Sequence, residues 1–274
     1  MTQLDAALLQ SWPLPVDDGS DKYSRGTVLV VGGSTMTPGA VLLAGRAALR
    51  MGAGRVQVAT APEIAIPVGV AFPETMVMPW RAAPDGPLRE SIAEADAVVV
   101  GPGLMGDDVA AVVDTVLRDV RPDCVVVLDA AAIMVFDQLD PATVDRVRAG
   151  LLMTPNREEA RSLVTDAPSD DASVLAAAAC ATGAVLTSFG GVYAPDGRRW
   201  QADDDVVGLG TSGSGDVLAG LAAGAAARCG DRSQAACWAT FAHFAAARCL
   251  EARLGTLGYV ATDMLAEVPA CLPR

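Results

Sequence analysis

The residues best suited to chemistry lie late in the chain, in Gly208-Leu209-Gly210-Thr211-Ser212-Gly213-Ser214-Gly215-Asp216. The apolar stretch from Val217 to Ala227 follows at once. A glycine-rich turn entering a helix aims several backbone N–H groups at one point, at the positive end of the helix dipole. Such a point binds an anion, and glycine lets a phosphate approach because no Cβ intervenes. Asp216 falls in the first helical turn, where a carboxylate is favoured by about 0.3–1 kcal/mol even without a chemical role. Glycines at 208, 210, 213 and 215 exceed what capping one helix requires, so the segment reads as an anion site. No Lys-Ser/Thr pair follows it, and it does not follow the first strand. Neither the P-loop nor the dinucleotide fingerprint therefore applies.

Three further elements place small or polar residues at strand ends. Gly32-Gly33-Ser34 follows the run Val28–Val31, and Gly101-Pro102-Gly103-Leu104 follows Ala97–Val100. Glycines at the carboxyl end of a strand suit the crevice where open α/β sheets bind ligands. The third is Thr154-Pro155-Asn156-Arg157-Glu158-Glu159-Ala160. Asn156 and Glu159, three apart, share one helix face. That pair suits a hydrated Mg²⁺, and it equally suits a capping box. Asp129 ends the run Val125–Leu128, as a cleft residue or a solvated strand end. The sole histidine, His243, sits inside FAHFAAARC and reads as a packed helical residue. A Ser-His-Asp hydrolase and a histidine-rich metal site are thereby disfavoured.

These residues need elements to hold them. Near-continuous apolar runs predict strands at Thr27–Val31, Val56–Thr60, Ala97–Val100, Val125–Leu128, Leu151–Thr154 and Ala184–Thr187, each buried on both faces of a parallel sheet. Helices are expected at Pro38–Met51, Asp107–Leu117, Arg157–Leu163, Asp171–Ala181, Gly215–Ala227 and Ser233–Leu254. Thr37 is the expected cap of the first, with Pro38 in its opening turn. Val192–Ala194, Pro195-Asp196-Gly197 and Arg199–Ala202 read as an antiparallel hairpin. The fold class is α/β: one doubly wound, mostly parallel sheet with helices on both faces and a hairpin at one edge. An N-terminal extension over residues 1–25 precedes a single domain over 26–274.

Composition narrows the function classes. The 274 residues carry 20 basic and 33 acidic side chains, a net charge of −13. Such a chain does not work by neutralising nucleic acid phosphates or docking on anionic lipid. Hydrophobic residues make up 51%, so the bulk is ordered, while aromatics make up only 4%, so Ala, Val and Leu build the core. No run reaches the roughly 18–20 apolar residues of a membrane span, and the N-terminus is no secretory signal. The six cysteines form no C-x-x-C pair and read as reduced, in a cytoplasmic protein.

In their order along the chain, these pieces resemble the ribokinase-like superfamily, and within it the ATP/ADP-dependent NAD(P)H-hydrate dehydratases. GTVLVVGGSTMTPGAVLLAGRAALRMGAGRVQVAT, ADAVVVGPGL, VVLDAAAI, LLMTPNREEARSL and GTSGSGDVLAGLAAG carry the resemblance, from about Lys22 to Leu272. It implies repair of hydrated NADH or NADPH (NADHX, NADPHX): a nucleotide, ATP or ADP with Mg²⁺, phosphorylates the ring hydroxyl, and phosphate is then eliminated. It implies that Asp216 is the base, and that Gly213, Ser214 and Gly215 form the anion hole for the transferred phosphoryl. Ala40, Gly103, Asn156 and Asp216 match the NAD(P)HX-binding positions. Ser188, Phe189, Gly190, Gly191 and Val192 match the nucleotide stretch, and Glu159 matches the residue near Mg²⁺.

The chain also departs from the family pattern. Asn156-Arg157-Glu158-Glu159 stands for His-Pro-Gly-Glu, Thr187-Ser188 for a Lys-Gly pair, and Ala131 for a second Asp after Asp129. Asn156 and Glu159 match small-molecule kinases of sugars or vitamin precursors, so that reading stays open. A non-catalytic nucleotide-binding paralogue is a third. The resemblance further implies a homo-oligomer, dimer or tetramer, and a separate NAD(P)HX epimerase. Ala-rich helices such as Gln234–Ala247 are compatible with faces that pack between subunits.

Overall fold

Six of the strands come from the β-branched runs, and they form the middle of one sheet. The computed structural model describes residues 1–15, 22–80, 84, 86–202 and 206–273. Ten strands appear among them: β1 (Thr2–Gln3), β2 (Thr27–Val31), β3 (Arg55–Thr60), β4 (Met76–Pro79), β5 (Ala97–Val100), β6 (Val125–Leu128), β7 (Leu151–Met153), β8 (Val185–Ser188), β9 (Gly191–Tyr193) and β10 (Arg199–Gln201). The sheet order is β1-β10-β9-β8-β7-β6-β5-β2-β3-β4. All pairings are parallel except β8 with β9 and β9 with β10. The antiparallel edge extends one strand beyond the expected hairpin, because β8 itself turns back into β9.

The helices are α1 (Ala6–Ser11), α2 (Gly39–Arg50), α3 (Pro62–Ala71), α4 (Gly86–Glu94), α5 (Val109–Asp119), α6 (Ala131–Met134), α7 (Pro141–Val147), α8 (Arg157–Ser162), α9 (Asp171–Thr182), α10 (Ser214–Cys229), α11 (Arg232–Leu254) and α12 (Ala261–Cys271). One apolar core joins α2, α10, α11 and α12 to one sheet face, and a second joins α4, α5, α7 and α9 to the other. Val28 and Val30 of β2 point into the first core, and Leu29 and Val31 into the second. That alternation is why the strand is apolar throughout.

Close helix contact fixes where α10 begins. A Cβ on Gly220 would lie 2.1 Å from the carbonyl oxygen of Ala44, and one on Gly224 would lie 2.6 Å from that of Ala48. Small residues therefore let α10 lie directly on α2, which sets the height of its first turn above the sheet.

Two expectations need correction, on the α2 cap and on the Gln234–Ala247 face. Thr37 does not cap α2: Pro38 occupies that position without a side-chain bond. The Thr37 hydroxyl instead donates to the Gly103 carbonyl at 2.9 Å, which ties two strand-end loops together. Gln234–Ala247 is no free subunit face, since most of α11 is buried within the chain. Leu4, Leu9 and Leu14 of the N-terminal extension join the first core; residues 16–21 of the extension lie outside the described residues. All six cysteines carry free thiols, with Cys249 Sγ 3.4 Å from Cys271 Sγ. Among the described residues no helix is long and apolar enough to cross a membrane.

Candidate active site

Gly213 opens α10 with φ +85°, a left-handed conformation that glycine adopts without strain. The Ser214 N–H donates to the Thr211 carbonyl at 3.2 Å, and the Val217 N–H to that of Gly213 at 3.1 Å. Ser214 therefore does not offer its N–H to an anion, contrary to expectation. The N–H groups of Gly215 and Asp216 are the unspent donors of the first turn. Gly215 faces open space, with nothing within 4 Å of where its Cβ would be.

Asp216 sits in the same turn, half-buried. Burial pushes its carboxyl up to about 6, which suits a base working near neutral pH. Asp129 ends β6 and is 5% exposed, so it is no solvated strand end. Its Oδ1 accepts from the Thr154 hydroxyl at 2.7 Å. Burial, with the negative charges of Asp216 and Glu159 nearby, pushes it up to about 7. Three carboxyl groups thus face a common region at the carboxyl ends of the central strands.

Asn156 and Glu159 make a complete capping box. Asn156 Oδ1 accepts from the N–H groups of Glu158 and Glu159 at 2.9 and 3.0 Å. The Glu159 carboxylate accepts from the Asn156 N–H at 2.8 Å and from its Nδ2 at 2.6 Å. The pair that favoured a sugar-kinase reading is spent on starting α8. Burial raises the Glu159 carboxyl above its ordinary range.

A cavity of about 430 Å³ opens beside the α10 N-terminus, within the usual size of small-molecule sites, about 300–1,000 Å³. Asn156, Ser188, Phe189, Gly190, Ser214 and Gly215 all line it. Phe189 and Gly190, at φ +49° and +73°, form the two-residue turn between β8 and β9. Two successive positive φ values match the twist of a hairpin. Gly191 and Val192 do not line the cavity; Val192 is fully buried in the first core. Ala40 and Gly103 meet elsewhere, since a Cβ on Gly103 would lie 2.9 Å from that of Ala40.

Two further residues stand at or beside the cavity, and of these His243 reads from the sequence only as a packed helical residue. His243 lines the cavity, and its Nε2 lies 3.0 Å from both the hydroxyl and the carbonyl oxygen of Ser214. Among the described residues its buried Nδ1 has no partner, so none of their carboxylates orients it as a hydrolase triad requires. Arg157 holds its guanidinium 5.5 Å above the Phe189 ring at the cavity edge. It stands near the place where the missing Lys-Gly cation was expected.

Residues 28–270 match the family model described as NAD(P)H-hydrate dehydratase. The chain is 40% identical to the ADP-dependent (S)-NAD(P)H-hydrate dehydratase of Xanthomonas campestris, over 98% of this chain and 95% of that protein. A ribokinase-like superfamily protein of Enterococcus faecalis shares the fold with a TM-score of 0.84 at 23% identity, covering 98% of this chain and 94% of the other. The ADP/ATP-dependent NAD(P)H-hydrate dehydratase of Bacillus subtilis, co-crystallised with ATP and Mg²⁺, does so with a TM-score of 0.77 at 24% identity, covering 98% and 97%. The architecture is thus the ribokinase-like one that the motifs implied. The chain belongs to the NAD(P)H-hydrate dehydratase family.

Proposed function

We propose that this protein restores NAD(P)H from hydrated NAD(P)H, with ADP as the phosphoryl donor. Its relative from Xanthomonas supports the donor by name. The observation that carries the chemistry is the first turn of α10, where open backbone donors and the raised carboxyl of Asp216 stand together beside a cavity.

Asp216 takes the proton of the ring hydroxyl. That oxygen attacks the terminal phosphorus, and the bond to the leaving nucleotide breaks. The phosphoryl group is received at the turn formed by Gly213, Ser214 and Gly215, where the open amides of Gly215 and Asp216 stabilise its charge. The carbon–oxygen bond then breaks, phosphate leaves, and loss of a proton from the adjacent ring carbon restores the double bond. Ser188, Phe189 and Gly190 bind the adenine nucleotide, with Gly191 and Val192 shaping the turn from behind. Ala40, Gly103 and Asn156 meet the damaged dinucleotide.

Among the described residues no group of three or more His, Cys, Asp or Glu side chains is placed to hold a metal. One carboxylate beside a phosphate site does fit Mg²⁺, which keeps several waters and rides on phosphates. Glu159 is the residue that would face it, and the ion would neutralise phosphate charge.

Residues 26–274 form the catalytic domain in this reading, with 1–25 contributing an edge strand and core leucines. The protein acts in the cytoplasm, supplied with the correct epimer by a separate epimerase. It assembles as a dimer or tetramer, and Ile66 and Val70 of α3, 80% and 79% exposed, offer an apolar face for doing so.

The test is a turnover assay with hydrated NADH and NADPH, with ADP or ATP and Mg²⁺, read by the reappearing reduced-nicotinamide absorbance. Restoration that needs both nucleotide and Asp216 is expected. Nucleotide binding without restoration would overturn the reading.

A further inference from the structure

Cys249 of α11 and Cys271 of α12 hold their sulfurs 3.4 Å apart, and the proposed reaction uses neither. Both carry free thiols; Cys249 is exposed and Cys271 half-buried. The helix register puts them together. As residue numbers rise by one turn along α11, they fall by one turn along α12. Cys249 meets Cys271, and one turn on Arg253 donates to the Glu267 carboxylate at 2.6 Å. Residues four apart share a helix face, so the two contacts are successive rungs between antiparallel helices. The thiol pair therefore follows from the packing of α11 on α12, not from one side-chain rotamer.

Both helices also reach the glycine-rich turn. Glu251, two residues past Cys249, accepts from the Gly208 N–H at 3.3 Å. Tyr259, buried in the connection between the helices, crowds the same glycine: a Cβ on Gly208 would lie 2.3 Å from its hydroxyl oxygen. Ala261 opens α12 beside Gly213, whose Cβ would lie 3.2 Å from that of Ala261. A bond between the two helices would hold this wall of the turn together.

We propose that Cys249 and Cys271 form a redox modification site, at which a low-molecular-weight disulfide reversibly links α11 to α12. The thiolate is the attacking form. The exposed Cys249 thiol loses its proton and attacks one sulfur of the small disulfide, whose S–S bond breaks to release one thiol. Cys271 then loses its proton and attacks Cys249 Sγ, and the second small thiol leaves with the electron pair. One small disulfide is reduced to two thiols as the two protein thiols are oxidised. Burial pushes the Cys271 thiol up to about 12, which makes it the second to react. The sulfurs need only close from 3.4 Å to about 2.05 Å. In a reducing compartment such a bond is transient, so the dithiol is the resting form and the bond marks oxidising conditions. The linked residues are 22 apart in the chain, and closing that loop restricts the unfolded state.

The test treats the full chain with oxidised glutathione, maps the cysteines by alkylation and peptide mass, and records thermal melts. A peptide holding Cys249 should be linked to one holding Cys271 within a single chain, and dithiothreitol should release them. The melting temperature should rise by about 5 °C and return on reduction. Cys271→Ser should stop at a glutathione adduct on Cys249, with no rise. Cys180→Ser removes an exposed thiol elsewhere and should behave as the unaltered chain. The mapping of the unaltered chain decides the matter even where a variant fails to fold. A lasting glutathione adduct on its Cys249, linkage only between chains, or a link that leaves the melting temperature unchanged would each overturn the proposal.

Discussion

His243 Nε2 stands 3.0 Å from both the carbonyl oxygen and the hydroxyl of Ser214. With its proton on Nε2, the imidazole donates to that carbonyl and pins the first turn of α10 to α11. Burial pushes its basicity down to about 4, so it is neutral at working pH. His243→Leu removes the donor, and a loss of about 1–3 kcal/mol follows for the unpaired polar groups. Turnover should drop about tenfold because the anion hole loses its brace. His243→Gln, which still donates, should recover part of both. Thermal melts and kcat with saturating nucleotide check this. The sign with pH is also fixed. The unfolded chain holds a proton on this residue below about 6.5 and the folded one only below about 4. Its contribution therefore weakens as pH falls through that window.

Asp216 must be ionised to take a proton. Its carboxyl sits at about 6 in the free protein, raised by burial. The acid limb of kcat/KM should therefore bend near pH 6 rather than near 4. Asp216→Asn should lower kcat by about 10²–10⁴, the range for a positioned base. Calorimetry should find nucleotide affinity nearly unchanged in that variant. An acid limb that stays near pH 6 in Asp216→Asn would assign the titration to another group.

Asp129 gives a stability effect of the opposite sign to that of His243. Its carboxyl is protonated below about 7 when folded and below about 3.9 when unfolded. The folded state thus binds more protons between these values, and stability falls as pH rises through them. Asp129→Asn keeps an acceptor for Thr154 and removes the buried charge. It should raise stability at pH 8 by about 1–2 kcal/mol and lose that advantage near pH 4. Denaturant melts at both pH values decide it.

The central strands were legible because burial on both faces leaves one signal, an unbroken apolar run. The edges were not. Met76–Pro79 has a single buried residue and ends in proline, so β4 lacks that signal. α3 and α12 each carry an internal proline, which argues against a helix locally and is outweighed by packing. The Phe189-Gly190 turn was missed because a bulky residue at positive φ is disfavoured, and the distant β8–β9 pairing holds it there. The glycine-rich turn that opens α10 was readable from glycine spacing alone. His243 was not, because its partner Ser214 is 29 residues away and helix periodicity says only that the residue is buried.

Arg157 is the cation beside the turn where the Lys-Gly pair is missing. Its guanidinium covers the Phe189 ring at 5.5 Å and pairs with Asp171 at 2.7 Å. The side chain is 65% exposed, so its structural worth is small, about 0–1 kcal/mol. Its place over Phe189, which lines the cavity proposed for the nucleotide, carries the prediction. Arg157→Ala should leave the melting temperature within a degree or two and raise the KM for ADP several-fold. Added salt should narrow that difference by screening the charge.

Gly213 tests whether the turn geometry itself is needed. At φ +85° any other residue is strained, and a Cβ would lie 2.5 Å from Leu43 Cδ1. Gly213→Ala should cost about 1–3 kcal/mol from the backbone alone. Trimming Leu43 to Ala in the same chain relieves the clash and not the strain. If the turn aims the amides of Gly215 and Asp216 at the phosphoryl group, the double variant should still lose kcat. The KM for ADP should change less, because Ser188 to Gly190 lie on separate elements. Recovery of full turnover in the double variant would mean that the space beside Leu43, and not the left-handed turn, is what the reaction requires.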